Sequence, residues 1–267
     1  MKRSFLARLQ RAALFSLIGA LMLLLVVPTL QLLVLGPQGY GTALTSPQAS
    51  LLWIQEHTLL FLLYRLALMV GFALLLGVPF ALFRIIVAQE IIGREEIERE
   101  EKEEKAASEE NSLPPFAWRG KGFAVIAAWL GLPGLLLAAG GTLASTIYLW
   151  SSASIVTAQT PLPDNFASVT GIFSVLTYTI GGGFVALSCI FFGFVIARSG
   201  RKLWPDSWVA FGYAGLAVGA VASGSAVQVA LTPLGSQTAI TTFAVLFIAA
   251  WLFWFSLMVI CLKAEQG

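Results

Sequence analysis

The sequence predicts an all-α membrane bundle of six transmembrane helices with both termini on the cytoplasmic side. Three observations lead there. The chain is 58% hydrophobic and only 11% charged, where a soluble domain carries roughly 25% charged residues. Its apolar residues gather into six long runs. Every one of its 16 Lys and Arg residues except Arg65 lies on one side of the pattern those runs make.

The runs are residues 12–35, 58–83, 123–150, 169–197, 208–231 and 239–262. Each is at least as long as the ~20 residues that a helix needs to cross a bilayer core. The first follows a basic head of Lys2, Arg3, Arg8 and Arg11. Its 24-residue length exceeds the ~7–15 residues of a cleaved signal core, so it reads as a retained span.

Threaded alternately, the spans place the basic head, Arg84 through Lys121, Arg198, Arg201, Lys202 and Lys263 together. The connections on the other side hold only Glu56, His57 and Asp164 as acidic or imidazole side chains. Lys and Arg near span ends mark the cytoplasmic face, so the expected topology is N-in and C-in at the plasma (inner) membrane. Trp53 and Trp150 mark the outer edges of spans, and Trp118, Trp204 and Trp208 the inner ones. Trp129, Trp251 and Trp254 fall deeper and read as packing residues.

One cytoplasmic connection stands apart. Residues 89–113 hold ten Glu and four Lys or Arg. Glu95–Arg99, Glu98–Lys102 and Glu101–Lys105 are Glu-before-base pairs at i,i+4, each worth about 0.2–0.5 kcal/mol in a helix. The second span is therefore expected to continue as a solvated, charged arm to about residue 107, ending before Pro114-Pro115. The stretch Glu95 to Glu110 is the candidate docking surface for other membrane subunits or a cytoplasmic partner.

Within the spans the candidate polar site is Arg65, with Glu56, His57 and Tyr64 near it in sequence. An ionisable residue inside a span is a functional hypothesis by default. Arg65 lies seven residues past residue 58, about 10 Å deep at 1.5 Å per residue. Its side chain tilts toward the helix N-terminus, which favours snorkelling to the outer surface. The alternatives are a structural hydrogen bond, or an anion, lipid or substrate held by the guanidinium.

Small residues mark the helix-packing positions. Gly215, Gly219 and Ser223 in the fifth span follow small-xxx-small spacing, and the fourth span adds Gly181, Gly182 and Gly183. Such residues let backbones approach closely in lipid. Pro133 and Gly181–Gly183 are the expected kink sites. The two cysteines, Cys189 and Cys261, read as apolar thiols.

The chain has no phosphate-binding loop, nucleophile elbow, intramembrane Asp pair or Cys/His cluster. A non-catalytic protein without metal, cofactor or nucleic acid is therefore expected. Phe191-Phe192-Gly193-Phe194, then Arg198 through Pro205, Trp208, Gly212 and Gly215 resemble a pattern in uncharacterised bacterial multi-pass membrane proteins. That resemblance implies a membrane hairpin and no assigned activity. The six-span, both-ends-inside layout is also similar to permease subunits of ATP-driven transporters, which implies movement of an apolar or anionic solute. The Glu-Ala-Ala-type coupling motif of those subunits is not found here. A subunit or partner of a larger membrane complex is thus the leading expectation, and a permease subunit the alternative.

Overall fold

The computed structural model describes residues 3–44, 46–105, 117–157, 162–200, 203–232 and 239–262. Among these the chain is helical throughout, with no strand. Six helical segments are long and apolar enough to cross a membrane: Phe5–Gln38, Thr58–Ile91, Gly122–Ala153, Phe166–Ser199, Asp206–Leu231 and Thr241–Ile260. This is the architecture of an integral membrane protein. Spans adjacent in sequence pack side by side, and the first closes the ring against the sixth. The N- and C-terminal ends meet at one end of the bundle, where Gln10 Nε2 donates to the Leu262 carbonyl at 3.1 Å. We refer to this as the basic end.

A proline or glycine lies at each of the main departures of the spans from regular helix. Pro28 has no N–H to complete the ladder, and wide π turns flank it at Met22–Val26 and Leu30–Leu35. The second span is two helices, Thr58–Leu74 and Val78–Lys105, joined at Leu75–Gly77. Tightened bonds carry the chain through this break, Leu75 N to Phe72 O at 3.1 Å and Val78 N to Leu75 O at 3.0 Å. Pro79 then sits in the first turn of the second piece, where a missing N–H is least costly. The helix Ala117–Ala153 runs through Pro133 without interruption. In the fourth span a π segment, Val175–Gly181, ends at the glycine triplet. The sequence pointed to Pro133 and to Gly181–Gly183, and only the second site carries an irregular turn.

At the end opposite the basic one, Ser46 caps a short helix, Pro47–Glu56, by accepting from Ala49 N at 3.1 Å. This is the expected N-cap chemistry, with Pro at the first helical position. Gln48 Nε2 ties the short helix to the Thr157 carbonyl beyond the third span at 3.3 Å.

The charged arm begins later than the sequence suggested. Glu90 is buried, and Gln89 Nε2 donates to the Leu203 carbonyl at 2.7 Å. These two residues belong to the bundle, and the helix continues from them to Lys105. Residues 106–113 of the arm lie outside the described residues.

Two tryptophan readings also change. Trp129, expected to pack, is 73% exposed and faces outward. Trp204 and Trp208, expected at a headgroup girdle, are buried against each other with ring centroids 5.2 Å apart. Cys189 is buried, whereas Cys261 is exposed just past the end of the sixth helix.

Candidate functional site

Arg65 is the charged residue at the centre of the candidate site. Its side chain is only 8% exposed, so the snorkelling expectation is replaced by an inward geometry. The physical reason is a set of hydroxyls on the neighbouring third span. Nε donates to Thr146 Oγ1 at 2.9 Å, and one Nη donates to Ser145 Oγ. Both hydroxyls send their own protons back to the Thr142 carbonyl, at 2.6 Å from Thr146 and 3.0 Å from Ser145. Their lone pairs are thereby turned toward the guanidinium. Phe61, one turn earlier on the same helix, adds its ring face 5.8 Å from the guanidinium carbon.

The residues near Arg65 in sequence take separate positions. Glu56 is exposed at the end of the short helix. His57 occupies the junction between that helix and the second span, with its ring stacked on Trp53 at 4.7 Å. His57 Nδ1 lies 3.2 Å from the Trp53 carbonyl, and Trp53 Nε1 donates to the Gln38 carbonyl at 2.7 Å. These contacts brace a helix corner. Tyr64 is buried and meets Tyr40 edge-on at 6.1 Å. Burial pushes the Tyr40 phenol above its ordinary pKa of 10.0, while the Arg65 charge pulls it the other way. The phenol accordingly stays neutral at physiological pH.

Beside Arg65 a groove of about 360 Å³ runs between the second and third spans. Apolar side chains line it apart from Arg65 and Thr146. It opens outward, because Leu63, Leu66 and Ile147 on its walls are 54%, 50% and 55% exposed. The Arg65 guanidinium presents a planar fork of N–H donors and no acceptor. The chemistry this fork offers is binding of an anion. Among the described residues, no group of three or more His, Cys, Asp or Glu side chains is arranged to hold a metal.

The small residues divide between close contacts and open space. A Cβ on Gly219 would lie 2.8 Å from the Ala186 carbonyl on the fourth span. One on Gly215 would lie 2.8 Å from the Trp251 ring on the sixth, so the two glycines serve different neighbours. One on Gly181 would lie 3.1 Å from Leu137 Cβ, whereas Gly182 has nothing within 4 Å and Gly183 only Ala226 at 3.9 Å. Ser223 bonds back to the Gly219 carbonyl of its own helix at 2.8 Å. A Cβ on Gly193 would lie 2.6 Å from the Gly212 carbonyl, a close approach that lies outside the Gly215, Gly219 and Ser223 run. Thr142, Ser145 and Thr146 were missed, although their i, i+3, i+4 spacing marks a polar stripe on one helical face.

Comparison with protein-family models, curated proteins and solved structures returned no match to this chain. Its class therefore rests on its own residues: a six-helix integral membrane protein with a buried arginine at a groove facing the lipid.

Proposed function

We propose that this chain is a non-catalytic multi-pass protein of the plasma (inner) membrane and a subunit or partner of a larger membrane complex. Its N- and C-termini face the cytoplasm, because the basic end carries the Lys and Arg residues that orient spans. The observation supporting the reading is close packing, among the described residues, where the second, third, fourth and sixth spans meet. Pro79, Leu135, Ser188, Phe192 and Trp251 close on a cavity of only about 20 Å³, which has room for about one water. Such a junction favours a packing and docking role over the permease alternative, since a solute pathway or reaction chamber needs more space. Water-facing recognition then falls to the charged helix running from the second span, whose sequence alternates Glu with Lys and Arg.

Replacing residues 95–110 with a Gly/Ser linker tests this. Local pairs worth a few tenths of a kcal/mol each hold the arm, so insertion and the melting temperature in mild detergent should change little. Chains that co-purify with the wild-type protein should be lost from the variant. A wild-type protein that purifies gently as a lone monomer, or a variant that keeps its partners, contradicts docking through the arm.

A further inference from the structure

We infer that the groove between the second and third spans holds an acyl chain of an anionic phospholipid, with the lipid phosphate on Arg65. The guanidinium has five N–H donors. Thr146 and Ser145 take two, leaving three with no protein acceptor among the described residues. Both acceptors are neutral, so hydrogen bonding leaves the positive charge uncompensated. A charge at this depth is costly unless it is paired.

The adjoining groove supplies the second half of the recognition. Leu62, Leu66, Met69, Leu143 and Ile147 give it an apolar wall, and its open side faces outward from the bundle. An occupant must be apolar along its length and anionic where it meets Arg65. A free anion lacks the first property, and a neutral lipid lacks the second. The depth also fits. Trp150 stands at the lip of the groove and is 49% exposed, as aromatic rings at headgroup level are. Ser145 and Thr146 lie four to five residues deeper, about 6–8 Å at 1.5 Å per residue. The interfacial zone on each side of a bilayer is itself about 5–8 Å thick, so a phosphate reaches Arg65 at its inner edge. The guanidinium fork suits a phosphate, to which it donates in parallel pairs.

Native mass spectrometry of the full chain tests the inference. The protein is released from bilayers of equimolar phosphatidylglycerol and phosphatidylcholine with matched acyl chains. Wild type should retain phosphatidylglycerol about tenfold better, the usual weight of a hydrogen bond to a charged group. Arg65→Gln should bring the two lipids near parity. Ile147→Trp, at an exposed wall position, should fill the groove and reduce phosphatidylglycerol retention with Arg65 intact. If Arg65→Gln does not fold, Ile147→Trp decides the matter. Equal retention of both lipids by wild type, or a preference unchanged by the variants, overturns the site. Inorganic phosphate alone raising the melting temperature as much as phosphatidylglycerol would make this a free-anion site and overturn the lipid assignment.

Discussion

Gly193→Val is expected to prevent stable packing of the fourth span on the fifth and to cause a large loss of stability. Those two spans make the most extensive contact in the bundle. A Cβ on Gly193 would sit 2.6 Å from the Gly212 carbonyl and 2.9 Å from Leu216 N. Both are backbone atoms in helix interiors, so neither moves aside by rotating a side chain, and the helices must separate. Overpacking of a filled interior costs about 1–3 kcal/mol and occasionally more, and a rigid backbone neighbour places this site at the upper end. Gly224→Val on the fifth span is the control, because Gly224 is exposed and a Cβ there meets nothing within 4 Å. Thermal unfolding in mild detergent should show a large drop for the first variant and little for the second. Equal melting temperatures would mean that the two helices do not approach as described.

Trp251→Ala should be at least as damaging, for the opposite reason. The Trp251 ring is buried and stacks on Phe211 at 4.5 Å with planes 3° apart. Its Nε1 donates to the Phe211 carbonyl at 3.0 Å. That approach is open only because Gly215 has no Cβ. Emptying such a site costs about 3–5 kcal/mol, whereas Trp251→Phe keeps an aromatic ring and should cost less. The same geometry predicts coupling. Gly215→Ala should destabilise the wild type but be close to neutral in a Trp251→Ala background, where the clashing ring is gone. Additive losses in the double variant would show that ring and glycine do not share one contact.

The six spans were legible in the sequence because the requirement behind them is one-dimensional: an apolar run long enough to cross the bilayer. The continuation of the second span's helix to Lys105 was legible for a similar reason, since the Glu–base pairs in its sequence lie four residues apart. What stayed hidden depends on partners distant in the chain. Arg65 finds its acceptors 80 and 81 residues away. Those acceptors are hydroxyls, and Ser and Thr in helices ordinarily bond only to their own backbone. A search for a carboxylate on the same helix could not reveal them. Glycine spacing likewise shows that a helix has a smooth face without saying who meets it. Gly215 and Gly219 share such a face yet serve the sixth and fourth spans respectively. Trp129 was misplaced because depth along a span says nothing about which side of the helix faces lipid.

The central claim, six spans with the basic end in the cytoplasm, is tested most directly by labelling single cysteines in intact cells. Cys189 and Cys261 are first replaced by Ala and Ser. Gly41→Cys and Asn165→Cys, both at exposed positions beyond the end opposite the basic one, should react with a membrane-impermeant maleimide added outside. Ser108→Cys and Gln266→Cys should react only after the membrane is permeabilised. Labelling of Ser108→Cys from outside intact cells, or protection of Gly41→Cys, would contradict the account.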